Sequence, residues 1–481
     1  MDLKLLLAIF AGKLIALIIR IFGKTGATTA PGLFALKVDP QLVKKLSKQI
    51  QSGSIIISGT NGKTTTTRLI STILSKKYNI IHNRAGSNLL RGIASTLTSK
   101  SSLIGKLKSN LAIWEVDEAT LPEAIENTAP KIIVLLNLFR DQLDRYGEVD
   151  SIRTKWQKSL SRLPKSSTLI LNADDPGISF LTKSFRGKVI YFGIYDKQID
   201  LPKIANVADI KHCLNCQSSL KYTALLSAHM GHYTCPNCKL KRPAPEVAAQ
   251  NLKFKEDFST SAKITINYSP FTLFDSSKIR SRIHYNLPGL YNVYNVLAAF
   301  GVAKTVKIDL SIAKRAVHEF SAAFGRFQKI KINDKNIIIF LIKNPAGANE
   351  VIRIIAKKDN LNLLLILNDN IADGRDVSWI WDTDWKLLTT KTKKVQISGT
   401  RAWDLATRLK YAGYKLGKND IYMGNHIPHK YRNKEIYYSI KQSLKKLNKK
   451  DTLLVLPTYT AMLEIQKSLN KMGAETQWQN Q

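Results

Sequence analysis

The sequence predicts an α/β protein of more than one domain. The first is a phosphate-loop domain with a parallel-rich sheet and an inserted four-cysteine zinc ribbon; a Rossmann-like α/β domain follows it. Three observations carry this expectation. Short apolar runs alternate with helix-length stretches along most of the chain, the rhythm of a parallel sheet covered by helices. A Gly-rich turn stands between the first such run and a helix, where a phosphate loop belongs. All four cysteines fall between Cys213 and Cys238, in paired Cys-x-x-Cys spacing.

Composition bounds the answer before any motif. The 481 residues suit two to four domains, and 44% hydrophobic content can bury real cores. That content, with ordinary Gly and Pro, excludes a disordered chain. Lys and Arg number 73 against 36 Asp and Glu, a formal charge of +37. Nucleic acid, an anionic membrane or anionic small substrates are the partners such a charge invites, against a plain Lys-rich solvated surface. No tract interleaves Arg with aromatic residues, so nucleic acid has little support and none is expected as a partner.

The elements follow in chain order. Residues 3–22 are apolar but interrupted by Lys4, Lys13 and Arg20. A charge at mid-span costs about 3 kcal/mol on insertion. Lys13 and Arg20, seven apart, share a helical face, which suits an interfacial or protein-packed helix. A signal peptide is the competing reading of this stretch, but the nucleotide loop behind it belongs in the cytosol. We expect a cytoplasmic protein with contact to the inner membrane face. A Gly/Thr/Pro linker follows at 23–32. Strands are expected at 54–58, 111–116, 131–137, 168–172 and 189–192, with a helix at 64–76 behind the first. A second α/β unit is expected beyond Arg326, with strands at 336–342, 361–367, 394–398 and 452–456 and helices at 402–411 and 461–472. The domains expected are therefore 1–32 (helix and linker), 33–326 (nucleotide-binding, with the ribbon at about 208–242) and 327–481.

The phosphate loop is Gly59-Thr60-Asn61-Gly62-Lys63-Thr64-Thr65-Thr66. Small residues let backbone N–H groups approach phosphates, and the helix N-terminus adds partial positive charge. Lys63 is expected to neutralise the β/γ-phosphates of ATP, with the Thr64 hydroxyl on Mg²⁺. The usual spacing wants a further Gly where Ile57 stands, so this is a shortened variant; a plain structural turn is the competing reading. Acidic partners for the metal belong at strand ends facing the loop. Trp114-Glu115-Val116-Asp117-Glu118 and the segment from Asn137 through Asp141 to Asp144 are placed there, with Glu115 the Mg²⁺ ligand. Cys213-x₂-Cys216 and Cys235-x₂-Cys238, 18 residues apart, have zinc-ribbon spacing. Four thiolates leave no position for water, so the zinc is structural; two disulfides are the alternative. His212 and His232 are read as bystanders.

These motifs, with Leu171-Asn172-Ala173-Asp174-Asp175-Pro176, resemble the central domain of the Mur ligase family, which activates a carboxylate with ATP through an acyl phosphate and lets an amine attack it. Gly289-Leu290-Tyr291-Asn292-Val293-Tyr294-Asn295 resembles the family's Asn-containing motif and implies an adenine contact from Asn295. Phe324-Gly325-Arg326 resembles its arginine site and implies a phosphate contact from Arg326. Within the family the ribbon, the segment 343–349 and the long motif 368–382 resemble the MurT branch. That likeness implies amidation of the α-carboxylate of D-glutamate in the lipid II stem peptide. It also implies a GatD-type glutamine amidotransferase as partner, since no Cys outside the cluster is left to act as a glutaminase nucleophile. Asp376 is then implied to orient the partner's catalytic His.

Departures from other Mur ligases are also visible. Asp141-Gln142 stands where several carry a metal-binding His, Lys155 is the nearest counterpart of a carbamylated Lys, and 343–349 holds no acid for a ribose. No nucleotide-sugar domain is recognisable ahead of the loop. Two other readings compete: a stand-alone ligase that adds an amino acid to a carboxylate, and a degenerate ATPase that binds nucleic acid or lipid. Intact Lys63, Thr64 and Glu115 argue against degeneration.

Overall fold

The structure, a computed structural model, describes residues 2–22, 29–83, 87–140, 149–201, 209–267, 278–320, 327–332, 334–448 and 451–474. The chain forms two compact units, the first reaching Phe320 and the second taking up the chain after it together with Leu287–Gly289.

The first unit begins with three helices, α1 (Leu3–Ile21), α2 (Ala30–Val38) and α3 (Leu42–Ser47). Strand β1 (Ser54–Ser58) leads through the Gly59–Gly62 turn into α4 (Lys63–Leu74). Next come β2 (Ile80–His82), α5 (Leu90–Lys100), β3 (Leu111–Glu115), α6 (Leu121–Thr128) and β4 (Ile132–Leu135). Helix Val149–Leu160, β5 (Thr168–Asn172) and β6 (Lys188–Ile194) complete the expected rhythm. The runs at 54–58 and 168–172 coincide with the observed strands; the others differ by one to three residues at their ends.

Between β6 and the rest of the sheet sits the ribbon, built on the hairpin β7 (Lys221–Ser227) and β8 (Met230–Thr234). Three more strands follow it: β9 (Val247–Phe254), β10 (Thr260–Asn267) and β11 (Lys278–Tyr285). Apart from the hairpin, all these strands lie in one sheet of order β11-β10-β9-β6-β5-β4-β1-β3-β2. From β2 to β9 every pairing is parallel. Every residue of β1, β3, β4 and β5 is buried, as a sheet covered on both faces requires. The chain runs β1, β2, β3 on one side and then crosses to β4 on the other, so the strand order reverses at β1, where ligands of such sheets collect. Beyond β6 the sheet departs from expectation, because β9, β10 and β11 extend it as an antiparallel meander. In β10 buried and half-buried residues alternate strictly, the mark of a strand with one face on the core.

The ribbon is tied to the sheet through Asp174, fully buried after β5. The Asp174 carbonyl accepts from Gly231 N–H at 2.8 Å. Its carboxylate accepts from Arg242 beyond the hairpin, from Tyr294 Oη at 2.9 Å and from Ile194 N–H at 2.9 Å. Asp175 caps the helix Pro176–Phe180 and also accepts from Leu138 N–H at 3.0 Å.

In the second unit, β12 (Phe327–Ile332) and β13 (Lys335–Phe340) pair antiparallel. β14 (Leu361–Ile366), β15 (Thr392–Ser398), β16 (Ile421–Tyr422) and β17 (Thr452–Pro457) then give the order β12-β13-β17-β14-β15-β16. All but the first pairing are parallel. Helices Glu435–Lys445 and Tyr459–Lys471 cover one face through Ile436, Ile440, Ile465 and Leu469.

Asp174 serves four groups, and its removal leaves the Arg242 guanidinium, whose side chain is only 6% exposed, without its carboxylate. Asp174→Ala is expected to cost about 3–5 kcal/mol, read as a fall in the urea midpoint at unchanged slope. A loss under about 1 kcal/mol would mean that the ribbon is held elsewhere.

Candidate active site

The loop after β1 is folded by what it touches. Gly59 has φ +139°, and a Cβ there would lie 2.9 Å from Asn137 O; Gly62 has φ +92°, and a Cβ would stand 2.2 Å from Asn295 Oδ1. Both positions therefore require glycine. Asn137, just past β4, copies a strand partner. Its Oδ1 accepts from Asn61 N–H at 2.8 Å and its Nδ2 donates to Asn61 O at 3.0 Å. The Thr60 hydroxyl joins Phe139 N–H and O at 2.9 and 3.1 Å. Lys63, Thr64 and Thr65 then open α4, a helix of 12 residues.

The acidic wall stands where the sequence puts it, at the end of β3, which pairs with β1 so that Glu115 lies beside Ile57. Thr64 Oγ1 donates to Glu115 Oε1 at 2.8 Å. Lys63 Nζ meets a different acid, Glu118 Oε2, also at 2.8 Å. The charged groups are buried: Lys63 is 6% exposed, Glu115 5% and Glu118 4%, while Thr64 is half-buried. Two further groups hold the wall. Asn83 accepts from Glu115 N–H and donates to Glu115 O, both at 2.8 Å. Trp156 Nε1 donates to Glu118 O at 2.8 Å. Neither Glu118 as the partner of Lys63 nor Asn83 was singled out from the sequence. Glu118 sits in the quoted acidic segment, but its pairing comes from packing and not from spacing.

Helix Leu290–Thr305 brings Asn295 to the loop. Asn295 is 2% exposed; its Oδ1 accepts from Thr66 Oγ1 at 3.2 Å and its Nδ2 donates to Asn292 Oδ1 at 3.0 Å. Lys155 is exposed on helix Val149–Leu160. Arg326, Asp141 and Asp144 lie outside the described residues.

The four cysteines are free thiols whose sulfurs all lie within 4.8 Å of one another. Their two halves are built alike. Cys213 N–H donates to Ser218 O at 2.8 Å and Cys235 N–H to Leu240 O at 2.7 Å. The fourth residue after each of these cysteines, Gln217 and Lys239, has φ +61° and +59°. Sγ–Sγ distances of 3.4 Å join Cys213 to Cys238 and Cys216 to Cys235, close to the roughly 3.8 Å of a tetrahedral Zn–S₄ centre. The Ser218 hydroxyl and backbone bonds pull the Cys216 thiol down to about 6, while burial pushes Cys213 up to about 12. His232 Nε2 lies 2.7 Å from Ile194 O and is not in the cluster; His212 is not in it either.

In the second unit the loop after β14 is tied down at several points. Asn368 bonds Thr458, Thr460 and Thr400. Asp373 accepts from Thr460 N–H at 2.7 Å and from its hydroxyl, and burial holds its carboxyl above the usual range. Asp369 pairs with Arg401 at 3.2 Å; bonds from Thr400 and Arg401 outweigh its burial and lower its pKa. Asp376 closes this loop exposed to solvent, with one oxygen accepting from Ser378 N–H at 2.8 Å. Asn344 caps the helix Pro345–Ile355 through Gly347 N–H, and Asn349 holds Asp382 O and Asp384 N–H. The unit also exposes Ile371, Trp381, Trp403 and Tyr411.

Comparison with known proteins agrees with this geometry. The model of the Mur ligase middle domain matches residues 57–303, and that of the MurT ligase C-terminal domain matches 341–462. The lipid II isoglutaminyl synthase (glutamine-hydrolyzing) subunit MurT of Streptococcus pneumoniae (strain ATCC BAA-255 / R6) is 33% identical over 98% of each chain. Its counterpart in Staphylococcus aureus (strain COL) is 31% identical over 96% of this chain and 97% of its own. Among solved structures, a pseudomurein peptide ligase type C from Methanothermus fervidus superposes with TM-score 0.64 at 22% identity, covering 89% of this chain and 80% of that one. MurF ligase from Thermotoga maritima in complex with ADP gives 0.62 at 12% identity, covering 91% and 84%; these two speak for the fold alone. The chain belongs to the Mur ligase family, in its MurT branch.

Proposed function

We propose that this chain is the ATP-using subunit of a lipid II isoglutaminyl synthase. It converts the α-carboxylate of D-glutamate in the stem peptide to the amide, with ammonia from a GatD-type glutamine amidotransferase subunit. The observation that carries this is the convergence of Lys63 and Thr64, at the start of α4, on buried Glu115 and Glu118. It occurs in a chain whose four cysteines are all gathered in one ribbon, leaving the ammonia to be made elsewhere.

The donor set suits ATP and Mg²⁺: an ammonium, a hydroxyl beside a carboxylate, and the N-terminus of a three-turn helix behind a glycine-built turn. Thr64 and Glu115 would hold Mg²⁺, which when bound neutralises charge on the transferring phosphoryl group. Lys63 exchanges the Glu118 carboxylate for phosphate oxygens and carries the charge that develops there. The motifs support Asn295 for the adenine and Arg326 for a phosphate. A substrate carboxylate oxygen then forms a bond to the γ-phosphorus as the bond to ADP breaks. Ammonia forms a bond to the carbonyl carbon of the resulting acyl phosphate as the carbon–oxygen bond to phosphate breaks, and the proton lost from nitrogen leaves with the phosphate as hydrogen phosphate. Asp376 is exposed at the end of a pinned loop, in a unit that also leaves Ile371, Trp381 and Tyr411 uncovered, which supports it as the residue that orients the partner's His. The ATP chemistry supports a cytoplasmic site of action, and the two compact units support a division near residue 326. The stand-alone ligase remains the second enzymatic reading; no observation favours it.

Ammonium-driven turnover should fall about 10³-fold or more in Lys63→Ala, some 4 kcal/mol of transition-state stabilisation. Because that change also strands Glu118, the melting temperature should drop. Adding Glu118→Gln should restore the melting temperature but not the turnover, and recovery of both would remove Lys63 from the chemistry.

Asp376→Ala should abolish glutamine-dependent amidation by the two-subunit complex and leave ammonium-dependent amidation intact. Equal loss of both would refute its role towards the partner.

Purified protein should hold about one zinc per chain, measured by mass spectrometry of the metal, and Cys216→Ser should lose it. Because the thiols must ionise to bind, zinc affinity should weaken as pH falls, and by one proton more steeply below about 6, where Cys216 also takes up its proton. Metal-free protein with unchanged stability would favour bare thiols.

A further inference from the structure

We propose that α1 is a membrane-surface anchor that lays one face of the first unit on an anionic bilayer. The inference stands apart from the amidation reading and does not need it.

Helix α1 is fixed by one side. Ala8, Ile9 and Gly12 are fully or almost fully buried. A Cβ on Gly12 would lie 2.6 Å from Thr98 Cγ2 and 3.1 Å from Pro31 O, so α1 rests directly on α2 and α5. Held this way, it cannot turn its other side inward. That side is apolar: Leu3, Leu7, Phe10, Leu14, Leu17 and Ile21 are 44–69% exposed. At 100° per residue these six fall within one 80° sector of the helix. The turn carrying Leu103 and Ile104, 66% and 60% exposed, extends the patch, because Gly105 packs against Leu5, Leu6 and Ile9.

A bare apolar stripe of this size on a soluble surface marks an interaction site, and its charges say which kind. Lys4 lies about 100° from the stripe's centre on one side, and Lys13 and Arg20 lie about 80–100° from it on the other. Cations thus line both edges: the stems of Lys4 and Arg20 can run along apolar surface with the heads at phosphate level, and Lys13 Nζ lies 3.4 Å from Ser99 O. Residues 3–38 contain five Lys or Arg and no acid, and residues 99–110 add three Lys and no acid. Anionic lipid complements that arrangement. A second copy of the chain does not, since two such faces would bring like charges together. Among the described residues no helix is long and apolar enough to cross a membrane, and three cations interrupt α1, so the helix lies on the surface.

The test uses the full-length chain, without substrate, in co-sedimentation with vesicles. One set contains phosphatidylglycerol in phosphatidylcholine and the other phosphatidylcholine alone. Binding is expected to the anionic vesicles and to weaken about tenfold or more in about 0.5 M salt. Leu7→Glu/Leu14→Glu should abolish it at unchanged melting temperature and ATP turnover. Lys13→Glu/Arg20→Glu, which spares the apolar stripe, should weaken binding to anionic vesicles alone. No binding to either vesicle, or binding unaffected by both variants, overturns the proposal. So does a wild-type dimer in sedimentation equilibrium that the Leu variant dissolves without any vesicle binding, which would give the face to a second copy. Because amidation is not measured, failure here leaves the reading of Lys63 and Glu115 intact.

Discussion

An almost fully buried lysine is the constraint on which the first unit is built. Lys63 carries its charge at 6% exposure, where an unpaired ammonium would cost several kcal/mol. The resting structure answers with Glu118, itself buried, and the need for that carboxylate propagates outward. Trp156 must reach Glu118 O from helix Val149–Leu160. Asn83 must clamp the end of β3 from the end of β2. On the other side Asn137 and Thr60 fix the turn against the end of β4. Because β1 lies between β3 and β4, both clamps act at the place where the strand order reverses. The loop is thereby shaped before any ligand arrives. On the function proposed above, phosphate oxygens would take the place of Glu118 beside Lys63, so that the exchange would substitute one buried interaction for another.

The same logic explains why the ribbon is no loose appendage. Asp174 is fully buried and would be untenable alone. It is sustained by Arg242, which follows the hairpin, and by Tyr294 from the helix that also carries Asn295. Asp175, its neighbour, is bound to Leu138 N–H one residue from the segment that shapes the phosphate loop. The ribbon, the helix that carries Asn295 and the loop clamp therefore meet at one dipeptide. The two Cys-x-x-Cys knuckles, with matching left-handed residues at Gln217 and Lys239, make the distal end of that insert self-contained. Its proximal end depends on the sheet.

What the sequence revealed and what it hid divide along a physical line. The phosphate loop, the ribbon and the buried parallel strands were legible because each is written in local spacing: glycines where φ must be positive, cysteines in Cys-x-x-Cys pairs, apolar runs of strand length. Glu115 was legible because strand ends are where such sheets collect their polar groups. Asn83 and the Glu118 pairing were not, because each depends on contacts 32 and 55 residues away. The meander β9–β11 was missed for another reason. In β10 apolar residues alternate with Ser, Lys, Thr and Asn, and β11 carries Lys278, Arg280, Arg282 and His284 among its eight residues, patterns unlike the continuous apolar runs that mark a parallel sheet. In the second unit the strands were legible for the same reason as in the first. The threonines that hold the Asn368–Asp373 loop were not, since Thr400, Thr458 and Thr460 are remote in sequence and carry no local signal.

That loop shows how a residue can be positioned without being buried. Asp373 and Asn368 are nearly covered, and Asp369 is tied to Arg401, which is in turn forked onto Asp404 at 2.7 and 2.9 Å. These bonds fix the backbone from both neighbouring strands, β15 and β17, on either side of β14. Asp376 needs only one short bond from Ser378 N–H to set its direction; its second oxygen receives none of these bonds. A carboxylate meant for a group in its own chain would be expected to sink towards that group and be compensated there, as Glu115 and Glu118 are. One held rigid at its base and left open at its tip has the form required to act on a group supplied from outside, because rigidity sets the geometry while exposure leaves the partner room to dock. The contrast between these acids in one chain, two buried and internally paired and one presented outward, is the arrangement that the division of chemistry proposed above calls for.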